Sequence, residues 1–305
     1  MTTPDTDSAD STTRLTALIR KSAVAALVVG ALAVVAARGA SAQVIPGAII
    51  GDDNSTAIGN APAMWKELAK PVGLVETAKG CGTAFLIGDD CMLTCAHVVE
   101  GEDLESIKIW FDYEDKTAPY ERHRSDCGTA DSALSTPDKW TVASVTILSS
   151  EEDLDCALIK VAKKDGEFPG EVYGHVTVRL TEPTVIERVH VIHHADAGGK
   201  EYSHDGDSKV YDPDDRDCHS LGRPGWFSHG ADAENGASGA PVFDKNGCVI
   251  GKHCASVTIE GNTKNCAVKM NAVAAAVEAQ GCLLDVWAAT PTEPKTWGQV
   301  KSLYR

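Results

Sequence analysis

The sequence predicts a mostly β fold with one helix near its C-terminal end. Three observations carry this reading. Short apolar runs recur between turn residues. Glycine is abundant, at 27 of 305 residues, which suits a turn-rich β protein better than a helical bundle. Only one segment has the composition and caps of a longer helix. The expected strands are 84–87 (AFLI), 91–94 (CMLT), 106–111 (SIKIWF), 141–148 (TVASVTIL), 156–161 (CALIKV), 185–192 (VIERVHVI), 241–243 (PVF), 248–251 (CVIG) and 266–269 (CAVK). The helix is expected over 272–280, with Asn271 as N-cap and Gly281 just past its end. A shorter helical turn is expected near 62–69. Segments 112–140 and 195–235 are polar and read as long loops, and 289–305 reads as a tail.

Composition narrows the class of protein. Apolar residues make up 43% and charged residues 24%, an ordinary globular balance that argues against a disordered chain or a multi-span membrane protein. Aromatic residues are only 6%, so the core must rest on Val, Ile, Leu and Ala. The net charge of −16 argues against a nucleic-acid partner, because phosphate binding requires a surplus of Lys and Arg.

Residues 1–42 read as a signal peptide. Arg14, Arg20 and Lys21 form a positive region, and 22–37 (SAVAALVVGALAVVAA) follows without a charge. That run is shorter than the roughly 20 apolar residues a spanning helix needs. Ala40-Ser41-Ala42 then supplies small residues for cleavage. The alternative is an uncleaved anchor. Cleavage implies a secreted or periplasmic protein with no stable membrane association afterwards. Residues 43–60 then form a short N-terminal segment ahead of the domain at 61–288. All ten cysteines lie after the leader, and an even count in an exported chain implies disulfides. One pair is suggested locally: Cys254 and Cys266 flank the turn signal Glu260-Gly261-Asn262.

Three stretches carry chemistry together. Leu93-Thr94-Cys95-Ala96-His97 places a histidine after an apolar strand. Asp153-Leu154-Asp155-Cys156-Ala157-Leu158 places a carboxylate before another. Asn235-Gly236-Ala237-Ser238-Gly239-Ala240-Pro241 sets a serine among glycines. A serine hydroxyl is a weak nucleophile and needs an adjacent base. An imidazole can take the proton and return it to the leaving group. A buried carboxylate fixes the imidazole tautomer and stabilises the imidazolium. Glycines beside the serine let backbone N–H groups face a developing oxyanion. Each stretch alone has a plainer reading as a core histidine, a strand-end acid or a tight turn. The order His, Asp, Ser joins them, and it differs from the α/β-hydrolase order, in which serine comes first.

With these motifs the chain resembles the chymotrypsin-like serine peptidases, and it is most similar to their bacterial trypsin-like and glutamyl-endopeptidase branch. The resemblance covers roughly 49–280. It adds Gly82-Thr83-Ala84-Phe85-Leu86-Ile87, the segment Ile49-Ile50-Gly51-Asp52-Asp53 and the loop 194–203 (HADAGGKEYS) to the motifs above. The resemblance implies two antiparallel six-stranded β-barrels, about 61–165 and 175–270, with the site in the cleft between them. It implies an endopeptidase acting on protein or peptide substrates, with no cofactor and no metal. His97 becomes the general base, Asp155 its orienting partner and Ser238 the nucleophile. Gly236 and Ser238 supply the oxyanion-hole amides. Asp153 competes with Asp155 for the orienting role.

The sequence also departs from the family. Val98 stands where many relatives have a cysteine, so Cys81 lacks its usual partner, and Cys91 or Cys95 could replace it. Ala237 stands where animal-type enzymes hold the acid that captures a new N-terminus. Two residues compete for substrate specificity. Asp232, six before Ser238, has the spacing of a trypsin-type acid for Lys or Arg. His253 matches the histidine with which glutamyl endopeptidases read a carboxylate, although Ala233 replaces their small hydroxyl residue. The plainer reading makes these two a strand histidine and a loop acid. The histidines at 190, 193, 194, 204, 219 and 229 show no fixed metal-ligand spacing, and the acidic run 212–217 lacks the regular pattern of a calcium loop. The rival function is a catalytically silent double-barrel binding protein; an esterase sharing the triad is a third option.

Overall fold

The computed structural model describes residues 43–45, 47–115, 122, 137–204, 206–218, 222 and 224–287. The leader expected at 1–42, the tail expected at 289–305 and His219 lie outside them. Two strands lead the domain, β1 (Gln43–Ile45) and β2 (Ser55–Ala57). Six more follow: β3 (Val72–Glu76), β4 (Cys81–Leu86), β5 (Cys91–Thr94), β6 (Lys108–Phe111), β7 (Asp138–Ser149) and β8 (Cys156–Val161). These six close into an antiparallel barrel in the order β3-β4-β5-β8-β7-β6. Val72, Val75, Phe85, Leu93, Ile109, Ile159 and Val161 are buried in its core. Each such side chain contributes about 1.5–3 kcal/mol by leaving water.

The second half is one sheet built on β9 (Thr177–Val178), β10 (Val189–His193), β11 (Glu201–Ser203), β12 (Val210–Asp212), β13 (Trp226–His229), β14 (Pro241–Asp244), β15 (Val249–Ile259), β16 (Asn262–Lys269) and β17 (Asp285–Val286). Its main path is β12-β13-β16-β15-β14-β10-β11-β2. The mostly β, double-barrel class is therefore the observed one. The second unit reaches eleven strands rather than six: β10 to β16 are already seven, β1 pairs with β15, β2 with β11, and the short β9 and β17 join as parallel partners. The segment 195–235, expected as a loop, contains β11, β12 and β13. These strands (EYS, VYD, WFSH) lack an apolar run of their own. They form because neighbouring strands offer unpaired edges, as where Trp226 and Phe227 face Val268 and Ala267.

Short helices α1 (Ala63–Ala69), α2 (Ala96–Val99) and α3 (Pro169–Tyr173) punctuate the strands, and α4 (Met270–Ala279) ends the second half. The C-terminal helix begins earlier than expected. β16 runs directly into it, so Lys269 occupies the N-cap position without a side-chain capping bond. Asn271 lies inside the first turn, and its Nδ2 donates to Glu182 Oε1 at 2.9 Å. Gly281 closes the helix as expected, with a φ of 76° and its N–H on the Glu278 carbonyl.

The cysteines correct a second expectation. Disulfides join Cys91 to Cys282 and Cys218 to Cys266. Cys81 is disulfide-bonded as well. The hairpin of β15 and β16 does form, but a bulge between His253 and Ala255 puts Ala255 opposite Cys266. Cys254 then turns inward as a buried thiol, and Cys266 meets Cys218. Cys91 is committed to Cys282 and Cys95 is a buried thiol, so neither serves Cys81. Removing the cross-link with Cys91→Ala/Cys282→Ala should lower stability by about 2–4 kcal/mol in urea unfolding. An unmoved midpoint would show that the bond contributes nothing.

Candidate active site

The barrel register brings His97 and Asp155 together. β5 and β8 are antiparallel, with Thr94 opposite Ala157. Continuing that register past the strand ends sets Asp155 opposite the first turn of α2, which carries His97. Asp155 then grips the histidine twice. Its Oδ1 accepts the main-chain N–H of His97 at 3.0 Å, and its Oδ2 lies 2.7 Å from Nδ1. An ionised carboxylate only accepts, so Nδ1 is the donor and Nε2 is left as the basic nitrogen. The carboxylate side chain is 4% exposed and the imidazole 32%, so the acid is shielded while the ring reaches solvent. Burial raises the Asp155 pKa, but the His97 bond and the Lys252 charge outweigh it and hold the carboxyl below its usual range. Burial lowers the His97 pKa, and the bond to Asp155 with its charge raises it above the ordinary value. Asp153 lies in the preceding turn, where its carbonyl accepts Trp226 Nε1 at 3.0 Å and its Oδ2 accepts the Ser149 hydroxyl.

Ser238 stands in a turn shaped by two close backbone approaches. Gly236 (φ 92°) has the His194 carbonyl 2.4 Å from where a β-carbon would sit. Gly239 (φ 94°) has the Thr83 carbonyl 2.0 Å from that point. No side chain fits at either. Thr83 on β4 ties the turn to the first barrel: its N–H donates to Ser238 O (2.8 Å) and its Oγ1 to Gly236 O (2.8 Å). Gly82 lies between Val98, next to His97, and the Ser238 carbonyl; a β-carbon there would be 2.8 Å from both Val98 methyls and 3.0 Å from that oxygen. The Ser238 hydroxyl donates to Cys254 O at 3.1 Å. Around it, Ala237 N–H donates to Glu234 O and Gly239 N–H to His253 O. Among the described residues the N–H groups of Gly236 and Ser238 have no acceptor.

The two specificity candidates fare differently. Asp232 is 2% exposed, and its oxygens accept the main-chain N–H groups of Ile50 (2.8 Å) and Asn54 (2.7 Å). Both are thereby committed to the N-terminal segment. The trypsin-like expectation of an acid waiting for a basic side chain does not match this arrangement. His253 is fully buried, with Nδ1 3.4 Å from His229 Nε2. Burial lowers both histidines, His229 to about 3 and His253 well below its ordinary value, the latter aided by His229, His193 and Lys252. His253 Nε2 and His229 Nδ1 have no partner among the described residues. The acids of 212–217 turn to basic side chains, Asp215 to Lys264 at 2.6 Å and Asp214 to Arg216 and Lys269.

Comparison with known proteins agrees with this architecture. Residues 82–251 match the family described as the trypsin-like peptidase domain. Fold and family define a serine-type endopeptidase, a hydrolase acting on peptide or protein substrates. The chain belongs to the trypsin-like peptidase domain family. Among solved structures, a Glu endopeptidase in complex with MPD is 15% identical; the match covers 77% of this chain and 100% of that one, with a TM-score of 0.55. The active form of the Rv3671c protease from M. tuberculosis is 18% identical over 78% of this chain and 93% of that one (TM-score 0.50). A scabies mite inactivated protease paralogue is 15% identical over 70% and 95% (TM-score 0.50). At these identities the likeness is one of fold. No curated protein matches the sequence. No helix among the described residues is long and apolar enough to cross a membrane.

Two residues near the site escaped sequence reasoning as functional positions. Thr83 was visible only as part of a motif. Lys252, a lysine inside an apolar strand, reaches Asp155 from the other half. Buried histidines also set an acid limit. His229 and His194 are both lowered to about 3, through burial and, for His194, also the Lys200 charge. Unfolded histidines titrate near 6.5. At these two sites the unfolded chain therefore binds protons first, so their contribution to stability is complete above pH about 6.5 and is lost progressively toward pH 3. Urea midpoints measured from pH 8 to pH 4 should decline before any carboxylate titrates. A flat profile between pH 6.5 and 5 would contradict the buried neutral state.

Proposed function

We propose that this chain is an exported serine endopeptidase working through His97, Asp155 and Ser238. The observation that carries the reading is the double grip of Asp155 on His97, set against two unpartnered amides beside Ser238. The serine hydroxyl rotates from the Cys254 carbonyl to His97 Nε2, which takes its proton as Oγ attacks the scissile carbonyl. The N–H groups of Gly236 and Ser238 receive the oxyanion. His97 returns the proton to the leaving amine, and water hydrolyses the acyl-enzyme by the same steps. The bonded Asp155 stabilises the imidazolium formed on the way.

Specificity follows from what is left free. With Asp232 committed, the neutral His253–His229 pair is the remaining reader, and it suits an acidic side chain before the cut. A substrate carboxylate would accept from His253 Nε2 and draw a proton onto the pair. Export is supported by the composition of 14–42 and by the disulfides. N-terminal sequencing of protein recovered outside the cell should begin at Gln43, and an intact leader there would refute cleavage.

Ser238→Ala should abolish turnover and leave the thermal midpoint near that of the parent. A fluorophosphonate should label Ser238 of the parent alone. Undiminished hydrolysis by the variant overturns the assignment, whereas a parent that neither cleaves nor labels is the silent binding protein. That outcome has a parallel in this fold, since one structural neighbour is an inactivated protease paralogue. In a peptide library the residue before the cut should be Glu or Asp. His253→Leu, which removes the donor, should cost about 1.5–3 kcal/mol of transition-state binding for those substrates, the worth of a hydrogen bond to a charged group. Cleavage after Lys or Arg would sink the acidic reading.

A further inference from the structure

β15 carries a cation into the middle of the molecule. Lys252 is 1% exposed. Its Nζ donates to the main-chain oxygen of Asp155 at 2.8 Å, to Cys254 Sγ at 2.9 Å and to Cys95 Sγ at 3.0 Å. Three acceptors match the three protons of an ammonium. Each belongs to a part of the site. Cys95 stands two residues before His97, at the start of its helical turn. Cys254 is the residue whose carbonyl accepts the Ser238 hydroxyl.

Asp155 needs the support. Its φ is 44°, in the left-handed region that non-glycine residues seldom occupy. Such a conformation costs about 1–3 kcal/mol and persists where its surroundings over-determine it. Here the main chain is held on both sides: the N–H of Asp155 donates to Ser150 O at 2.8 Å, and its carbonyl takes the lysine. The turn points the carboxylate at the main-chain N–H and the Nδ1 of His97.

Cys95, Cys254 and Asp155 also have the spacing of a metal site, their ligand atoms lying within 4.8 Å of one another. The chain places its own ammonium there, and the Asp155 carboxylate is taken by His97. Burial opposes a charged lysine, but Cys254, Cys95, Asp155 and Cys156 face it and hold it protonated. Burial also raises the Cys254 thiol, and its bond with Cys95 and the Lys252 charge bring it below its ordinary value. A buried cation without such partners would not persist.

We propose that Lys252 is a positioning residue of this active site: its ammonium, seated between Cys95 and Cys254, locks the Asp155 carbonyl and with it the left-handed turn that aims the carboxylate at His97. The proposal rests on the reading of His97, Asp155 and Ser238 as the triad.

Lys252→Met keeps the length of the side chain and removes the donor. Per site titrated with fluorophosphonate, kcat should fall about 10²-fold, the scale expected when a catalytic group is slightly misplaced. KM should stay within about twofold, because substrate contacts are untouched. The proton between His97 and Asp155 should lose its sharp downfield resonance. Lys252→Gln, which retains a donor, should recover part of kcat. Parent-like kcat and resonance in Lys252→Met overturn the proposal. A readout independent of variant folding uses the parent protein labelled with 15N-lysine and 13C-aspartate. One lysine ammonium should exchange slowly at the pH of activity and couple to the Asp155 carbonyl carbon; absence of that signal also overturns it. The two readings fail separately. An active Ser238→Ala removes the triad, whereas an inert Ser238→Ala beside a parent-like Lys252→Met removes only the lysine's role.

Discussion

The site depends on one pairing, the antiparallel register of β5 with β8. That register sets Asp155 against the turn carrying His97, and the carboxylate then bonds both the ring and the main chain of the histidine. A single bond to Nδ1 would leave the ring free to swivel about it. The second, to the backbone N–H, anchors the acid to the helix itself. Shielding makes the interaction strong, because a 4% exposed carboxylate acts through a low dielectric while the ring stays 32% exposed to solvent.

The serine comes from the other half, and backbone contacts hold it there. Thr83 bonds the carbonyls of both Gly236 and Ser238, so the turn carrying Ser238 is stitched to the first barrel. Close packing at Gly236 and Gly239, both at positive φ, leaves no tolerance for side chains. Strength in this arrangement comes from over-determination: His97, Asp155 and Ser238 are each bonded by a segment distant in sequence.

Charge is distributed unevenly around this frame. The surface is acidic, whereas the interior behind the site holds Lys252 and a set of histidines kept neutral by burial. Neutral histidines cost acid stability, yet among the described residues they leave His253 Nε2 and His229 Nδ1 uncommitted in the interior. Asp232 shows the opposite solution. Burial, with Asp53 and Glu234 nearby, raises its pKa against the pull of two amide bonds, and it serves to dock the N-terminal segment.

Much of the fold and the candidate triad was legible in the residues. Val, Ile and Leu runs mark β4, β5, β8, β14 and β15, because a strand buried on both faces must be apolar throughout. His97, Asp155 and Ser238 were legible because each sits in a short motif with demanding chemistry, and the glycines around the serine signal backbone that no side chain could share. Other features could be decided only by tertiary structure. EYS, VYD and WFSH become strands because an edge awaits them. A one-residue bulge sends Cys254 inward and Cys266 to Cys218, which no spacing reveals. The role of Asp232 depends on amides some 180 residues away, and that of Lys252 on a carbonyl in the other half. Local patterns record what a residue must be; which partner meets it is set by register and chain crossing, and those belong to the folded molecule alone.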